Sequence, residues 1–303
     1  MSTVVVLAGG TGGAKLARGM LDVVGDELVV VANTADDVEV HCAYVCPDPD
    51  LCAFWLADRI DSRGWGLDGD TFETMDGLRE LGVDVWFNLG DRDLAIGLDR
   101  SRRLAEGQSL TQAIAAMTDV LGVPARVLPM CDDIVRTRVK AADRWWPFQE
   151  FMIRHGAEGP IEEVAFGGIE GAAPTEEVLE AVAAARVIVV GPSNPVISVR
   201  PILDLPGLAE ALAGAPAPVV AVSPIVGGEI LKGPTRAFMD FAEVRVDASG
   251  VADYYGTLLD GMVCDEPEAS LPVPVHTTHT RMDTAADRER VARETLDFAL
   301  GLA

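Results

Sequence analysis

The sequence predicts an α/β protein with a Rossmann-like, doubly wound and mainly parallel sheet. Short apolar runs, most of them rich in β-branched residues, are typical of buried parallel strands; they cover residues 3–8, 28–32, 83–87, 186–190 and 218–222. Patterns of helical period separate or follow them, at residues 14–24, 51–60, 71–81, 109–121, 175–185 and 208–213. Because alternating strands and helices form right-handed βαβ units, a single α/β domain over residues 1–303 is expected.

One segment interrupts the alternation. Residues 125–170 show apolar–polar alternation with little helical period. We interpret them as an irregular or antiparallel insertion near one edge of the sheet. A Pro-rich stretch after Asp265 leads to a closing helix, which is predicted at about residues 284–302.

Composition limits the function. Lys and Arg number 24, and Asp and Glu number 48, which gives a net charge of −24. A surface this acidic argues against nucleic-acid binding, because a phosphate backbone needs a basic face. An anionic substrate must therefore be attracted by local Arg side chains, backbone N–H groups or a divalent cation. Neither a signal peptide nor an apolar run near the roughly 18 residues of a membrane span is visible, so a cytoplasmic protein with reduced cysteines is expected.

A glycine-rich loop is the clearest sign of a phosphate site. It follows the first predicted strand and contains Gly10, Thr11, Gly12, Gly13 and Lys15. Glycines let a backbone approach an anion, and the N-terminus of the following helix offers free N–H groups. The loop matches neither a Walker A loop nor the G-x-G-x-x-G dinucleotide pattern, since Lys15 stands where the third glycine would be. A tight turn without a ligand is the alternative.

Polar residues follow the other predicted strands as well. In a parallel sheet they would meet the glycine loop at the carboxyl edge, where open α/β folds bind ligands. The candidates for contact with a nucleotide there are Asn33, Thr34, Asp37, Asn88, Ser193, Asn194 and Ser223. Ser193 and Asn194 lie between two prolines, so a rigid loop is expected to present them to a base or ribose; a structural proline turn is the alternative.

Aspartates close to the same edge suit Mg²⁺, which prefers a few carboxylates together with substrate phosphates. We predict that Asp50, with Asp48 or Asp37, holds the cation. Asp50, Asp91 and Arg92 are the predicted catalytic residues, and Arg92 would balance charge on a transferred phosphoryl group. A helix cap or an Asx turn is the alternative for each aspartate.

Two further clusters have weaker signals. Arg100, Arg102 and Arg103 form a basic spot that is either a solvated helix surface or a guide for phosphate. Three cysteines lie close together, at positions 42, 46 and 52, but their spacing matches no zinc pattern, and buried thiols are the commoner explanation.

Taken together, these loops resemble the 2-phospho-L-lactate transferase family (CofD, with its actinobacterial FbiA branch). The resemblance spans nearly the whole chain. It rests on AGGTGGAKL at 8–16, NTADD at 33–37, CPDPD at 46–50, RGWG at 63–66, DTFET at 70–74, LGDRD at 89–93, LPMCDD at 128–133, GPSNP at 191–195, VAVSPIVGG at 220–228 and VADYY at 251–255.

The resemblance implies a reaction and its partners. A phosphorylated three-carbon acid would pass from a guanosine-diphosphate-linked donor to the terminal hydroxyl of the deazaflavin Fo, and GMP would leave. This is an early step in making coenzyme F420, and it implies Mg²⁺ as the cofactor. We also expect a homodimer. Such a transfer needs positioning and charge neutralisation more than a covalent nucleophile, which agrees with a sequence that offers aspartates, an arginine and amide-rich loops.

Two other functions remain open. A nucleotide-binding regulatory protein of the same fold is the first; that family shares the glycine loop but carries DDGGSSG where this chain has DDVEV at 36–40. An NAD-dependent oxidoreductase is the second, and Asn33 stands where its acidic ribose-binding residue would be. The sequence does not distinguish lactate, enolpyruvate and glycerate as the acid transferred.

Overall fold

A computed structural model of the chain describes residues 3–231, 233–265 and 271–302. Its strands are β1 (Thr3–Ala8), β2 (Leu28–Ala32), β3 (Val38–Val40), β4 (Ala43–Val45), β5 (Arg126–Pro129), β6 (Arg136–Ala141), β7 (Arg144–Pro147), β8 (Ile161–Gly167), β9 (Ala185–Val190), β10 (Val219–Val222), β11 (Ile225–Val226), β12 (Glu229–Ile230), β13 (Gly261–Cys264) and β14 (Val275–Thr277).

The α-helices alternate with these strands along much of the chain. They are α1 (Gly10–Val24), α2 (Pro47–Leu56), α3 (Glu73–Glu80), α4 (Asp91–Ala105), α5 (Leu110–Leu121), α6 (Phe148–Ile153), α7 (Glu176–Ala183), α8 (Arg200–Leu203), α9 (Leu208–Ala213), α10 (Thr235–Phe241), α11 (Ala248–Tyr255) and α12 (Ala285–Leu300). A π-helical turn, Pro195–Val199, precedes α8. Within the described residues, no helix is both long enough and apolar enough to cross a membrane.

The central sheet has seven strands in the order β14-β13-β10-β9-β1-β2-β5. All of its pairings are parallel, which confirms the predicted Rossmann-like, doubly wound fold. The chain adds β2 and β5 on one side of β1, then returns to add β9 and the later strands on the other side. The order therefore reverses between β1 and β9, and open α/β sheets bind ligands at such a switch point.

Alternating side chains of the central strands pack into two separate cores. Along β1, Val4 and Val6 face a core that includes Leu16 of α1, whereas Val5 and Leu7 face a core that includes Ile202 of α8. Both faces of the sheet are thus covered by helices. This burial explains why the central strands read as almost unbroken apolar runs, a pattern typical of parallel sheets.

The prediction of a strand at residues 83–87 is wrong. This segment has no regular structure, and its side chains at 85–87 pack against a small cluster that contains Met75, Leu89 and Leu94. A run of five apolar residues can be buried in a small separate cluster beneath α3 and α4 just as it can be buried in a sheet. The hydrophobic period of the sequence alone does not distinguish burial in such a cluster from burial in a sheet.

The predicted insertion, residues 125–170, divides into two parts. Its first strand, β5, belongs to the central sheet, where it pairs in parallel with β2. Strands β6, β7 and β8 form the expected antiparallel unit, a separate three-stranded sheet in the order β7-β6-β8. The strands β13 and β14, at the opposite edge of the central sheet, escaped the sequence prediction because each is only three or four residues long.

Candidate functional site

A cleft of about 500 Å³ opens at the switch point of the sheet. It lies at the carboxyl ends of β1, β9 and β10. The residues that line it come mainly from the loops after these strands and from the segment before α12: Gly9, Gly10, Thr11, Gly12, Lys15, Met152, Pro192, Ser193, Asn194, Ile197, Ser198, Ser223, Pro224, Val226, Ile230, Leu231, Gly233, Pro234, Thr235, Thr280, Arg281, Met282 and Asp283. Three loops predicted to meet at the carboxyl edge therefore do so.

The glycine loop forms the start of α1 and one wall of this cleft. Gly10 adopts a positive φ of 64°, which glycine tolerates and other residues adopt at a cost. By helix geometry the N–H groups of Thr11 and Gly12 have no partner within α1. They belong to residues that line the cleft, and a helix N-terminus of this kind is suited to an anion.

Gly12 is needed for a contact within the protein. A Cβ placed on Gly12 would lie 2.0 Å from the carbonyl oxygen of Pro192. The sequence predicted a close approach to a ligand at Gly12, and the structure shows a close approach to the backbone of the neighbouring loop. The two loops at the switch point are therefore packed directly on each other.

A matched pair of glycine variants distinguishes close packing, which requires glycine at position 12, from backbone conformation, which favours it at position 10. We expect Gly12→Ala to lower both the melting temperature and nucleotide affinity, because its Cβ forces the loop of Pro192 away. A Cβ on Gly10 would meet nothing within 4 Å, so Gly10→Ala carries only the cost of its positive φ, about 1–2 kcal/mol. Thermal unfolding and GDP titration of both variants measure this. Equal effects of the two substitutions would contradict the packing explanation.

Asp48 ties the glycine loop to the neighbouring strand. It lies in the first turn of α2, where its Oδ1 accepts from Gly10 N at 2.6 Å and its Oδ2 accepts from Asn33 Nδ2 at 3.0 Å. Asn33 Oδ1 in turn accepts from Ala35 N. Burial raises the pKa of Asp48 to about 6, although its hydrogen bonds oppose that rise. Asp48 and Asn33 therefore shape the cleft from behind its wall.

The serine and asparagine side chains of the cleft also hold its loops in shape. Ser193 Oγ accepts from Gly9 N at 3.1 Å, and Ser223 Oγ accepts from Ile225 N at 3.1 Å. Asn194 Oδ1 accepts from the N–H groups of the π-helical turn at Val196 and Ile197. Its Nδ2 is buried and finds no hydrogen-bond partner among the described residues. Asn194 thus keeps an unused donor beside the cleft.

Behind the cleft lies a group of buried aspartates. Burial, together with the carboxylate of Asp48, raises the pKa of Asp36 well above its usual range. Burial raises the pKa of Asp37 to about 8, even though Cys46 Sγ donates to its Oδ2 at 3.1 Å. The Oδ1 atoms of Asp36 and Asp37 are buried without a hydrogen-bond partner in the described part of the chain. Each of these two carboxylates has an oxygen available for a proton or a cation.

Asp50 forms a buried ion pair that the sequence did not predict. Both of its carboxylate oxygens accept from Arg100, whose guanidinium also donates to Tyr44 O at 2.9 Å. The Arg100 side chain is only 2% exposed and that of Asp50 13%. Arg100 is therefore neither a solvated helix residue nor a surface guide for phosphate. Arg102 and Arg103 do lie on the outer part of α4, where they pair with Asp99.

The predicted Mg²⁺ ligands fit the cation in chemistry. Asp37, Asp48 and Asp50 supply hard carboxylate oxygens. The Oδ1 atom of Asp37, which has no hydrogen-bond partner in the described part of the chain, is the oxygen most available to a cation. However, no group of three or more His, Cys, Asp or Glu side chains converges as a ready metal site among the described residues. Thr34, which was predicted to contact a nucleotide, is buried, and its Oγ1 lies 3.9 Å from Cys131 Sγ. The metal assignment stays a prediction.

Asp91 serves as a helix cap, the alternative that the sequence left open. Its carboxylate accepts from Thr71 Oγ1 and from the N–H groups of Glu73 and Thr74 at the start of α3. These bonds, led by that of Thr71, lower the pKa of Asp91 to about 2. Asp70 reciprocates by accepting from Arg92 N at the start of α4. The starts of α3 and α4 are therefore linked by reciprocal hydrogen bonds.

The remaining residues of the same loop differ in position. Arg92 is exposed at the start of α4. Asn88 is exposed too, and its Oδ1 accepts from Arg79 Nη2 at 2.6 Å; it does not line the cleft. Asp93 is mostly buried, and burial, with the carboxylates of Asp50 and Asp70, raises its pKa to about 7. Asp93 is therefore a titratable group beside Asp50.

Fold and site together define the class of protein: a Rossmann-like α/β protein with a ligand cleft at the switch point of its sheet. The family follows from comparison with known sequences. A family model described as 2-phospho-L-lactate transferase CofD matches residues 4–298. The chain belongs to this family, as its loops predicted, and is a transferase.

Two relatives illustrate the similarity. The chain is 39% identical over 264 residues to a 2-phospho-L-lactate transferase of Methanosarcina mazei, with 86% of each chain covered. It is 42% identical over 271 residues to a phosphoenolpyruvate transferase of Kitasatospora aureofaciens, with 86% of this chain and 84% of the relative covered. A crystal structure of a UPF0052 family protein from Bacillus halodurans matches with a TM-score of 0.64 over 98% of this chain and 100% of that one. At 18% identity, that last likeness shows the fold alone.

Proposed function

We propose that this protein acts in coenzyme F420 biosynthesis. It moves a phospho-three-carbon-acid group, 2-phospho-L-lactate or phosphoenolpyruvate, from a guanosine-diphosphate-linked donor to the terminal hydroxyl of Fo. The observation that carries the proposal is the CofD family match over residues 4–298. The cleft supports it, because the glycine loop and the Asn194 loop offer backbone and amide donors where a phosphorylated nucleotide would lie.

The reaction exchanges a phosphoanhydride bond of the donor for a phosphoester bond to Fo. The Fo hydroxyl oxygen forms a bond to the phosphorus that carries the organic acid, the bond from that phosphorus to GMP breaks, and the hydroxyl proton passes to a base. Our candidate for that base is Asp93, which lies beside Asp50, the proposed cation ligand, and whose pKa burial raises to about 7. The protein's main task is then to align the two substrates and to offset charge on the transferred group, to which we assign Arg92.

The cation of this proposal is Mg²⁺. Asp50, with Asp48 or Asp37, would hold it. When bound, the ion neutralises phosphate charge that a carboxylate-rich site would otherwise repel. The unpartnered oxygen of Asp37 favours this assignment. The bidentate pairing of Asp50 with Arg100 leaves Asp50 fewer free lone pairs for the cation.

Ligand-induced stabilisation separates this proposal from its two alternatives. The melting temperature is measured with GDP, NAD and Fo, each with and without Mg²⁺, since a ligand that binds only the folded state raises it. A transferase should respond to both GDP and Fo. A response to GDP without one to Fo favours a regulatory protein, and a response to NAD alone favours an oxidoreductase. Either of the last two results would contradict the proposal.

Asn194 provides a sharper test of where the nucleotide binds. Asn194→Asp keeps an oxygen to accept from Val196 and Ile197 but replaces the unused Nδ2 donor by a second, negatively charged acceptor. We expect the apparent constant for the donor to rise about tenfold or more, in line with the loss of a hydrogen bond to a charged or polar group. That for Fo should change little. Steady-state kinetics with each substrate varied in turn measures this, and equal effects on both substrates would contradict the placement.

A further inference from the structure

The cleft contains a group of paired charges, of which only Lys15 was predicted from the sequence to belong to a phosphate site. Among the described residues that line it, the charged side chains are Lys15, Arg281 and Asp283. Lys15 projects from α1, and the other two lie in the segment just before α12. Arg281 Nε lies 2.5 Å from Asp283 Oδ2, and Lys15 Nζ lies 4.0 Å from Asp283 Oδ1. One carboxylate therefore stands between two cations.

The three side chains of this arrangement are accessible to an incoming ligand. The Asp283 side chain is 52% exposed, Arg281 is 54% exposed and Lys15 is 23% exposed. Ion pairs of this exposure contribute little to stability, because water screens the charges and the side chains lose freedom when they pair. A phosphate group carries more charge and more acceptor oxygens than a carboxylate, so it forms stronger hydrogen bonds with the same cations. An incoming phosphate can therefore replace Asp283.

We infer that Lys15 and Arg281 form an anion subsite for a phosphate of the donor, and that Asp283 is the counter-ion that occupies it when the donor is absent. The inference rests on the proposed function only in taking a nucleoside diphosphate as the natural ligand. Asp283 then competes with every anion that enters the cleft. In a chain of net charge −24, such an internal competitor favours multiply charged ligands over singly charged ones.

The inference predicts that removing an acidic residue improves binding. Asp283→Asn should tighten the binding of GDP about two- to fivefold, the range expected for removal of one exposed ion pair. Asp99→Asn is the matched control. Asp99 is 47% exposed and also pairs with two basic side chains, Arg102 and Arg103, but it lies outside the cleft and its replacement changes the net charge equally.

Calorimetric titration of both variants and the unaltered protein with GDP, GMP, guanosine and inorganic pyrophosphate tests this without any turnover. The gain for Asp283→Asn should increase with ligand charge, be absent for guanosine, and shrink when Lys15→Met is added, because Asp283 then covers only Arg281. Three results would overturn the inference: weaker binding of GDP by Asp283→Asn, an equal gain for Asp99→Asn, or an equal gain for guanosine. Absence of binding by GDP and pyrophosphate alike would also overturn it. Tighter GDP binding by a protein that transfers nothing to Fo would reject the proposed function and keep the subsite.

Discussion

Asp50→Asn is expected to reduce turnover by about 100-fold or more, while GDP binding changes little. A neutral amide removes a hard anionic ligand from the predicted Mg²⁺ site, and losses of this size are typical when one preorganised charge interaction is removed from an active site. The measurement is steady-state turnover with saturating donor and Fo, with and without EDTA. Full activity of the variant, or activity undiminished in EDTA, would contradict the metal assignment.

The ion pair with Arg100 makes a second variant necessary. Asp50→Asn also leaves a guanidinium that is 2% exposed without its anion, so part of any loss could come from disturbed structure. Asp50→Glu keeps the charge and can still pair with Arg100, yet it moves the carboxylate by one methylene. If Asp50 only neutralises Arg100, Asp50→Glu should be nearly as active as the unaltered protein. If Asp50 holds a cation at the reaction centre, turnover should fall in both variants.

Arg100→Met should produce the largest loss of stability, about 3 kcal/mol in the free energy of unfolding. Breaking a buried ion pair by removing one partner leaves the other charge desolvated and unpaired. Here the remaining Asp50 carboxylate would also lie beside the carboxyl groups of Asp37 and Asp93, with which its charge interacts unfavourably. Met fills much of the space, so a cavity contributes little. Denaturant unfolding measures the difference.

Arg102→Met is the control for this prediction. It lies on the same helix, two residues further on, and pairs with Asp99 and Glu106 at the protein surface. Because these pairs are exposed, we expect its removal to change stability little. Similar losses for Arg100→Met and Arg102→Met would show that burial of the Asp50 pair is not what stabilises this part of the protein.

The central sheet could be predicted from the sequence because strands that are buried on both faces consist almost entirely of apolar residues. The runs at 3–8, 28–32, 186–190 and 218–222 all became parallel strands. The same logic failed at 83–87, where a run of similar apolar character packs outside the sheet. Edge strands of three or four residues, such as β14, carry too few residues for a period to be visible.

The site was predictable where glycine and proline mark strand ends, and less so where pairing depends on distant contacts. The loops with Gly12 and Asn194 meet as expected, since carboxyl ends of parallel strands share one edge. By contrast, Asp50 and Arg100 are fifty residues apart in sequence, and no local pattern relates them. Arg281 and Asp283 were missed because their segment precedes a terminal helix and resembles ordinary surface.

The central claim is transfer of a phosphorylated three-carbon acid to Fo, and the mass of the product tests it most directly. The protein is incubated with Fo, Mg²⁺ and each guanosine-linked donor in turn, bearing lactate, enolpyruvate or glycerate, and the products are analysed by mass spectrometry. We predict that at least one donor yields Fo joined through a phosphodiester to its acid, together with an equal amount of GMP. Unchanged Fo with all three donors, in a protein that binds GDP and Fo, would contradict the account.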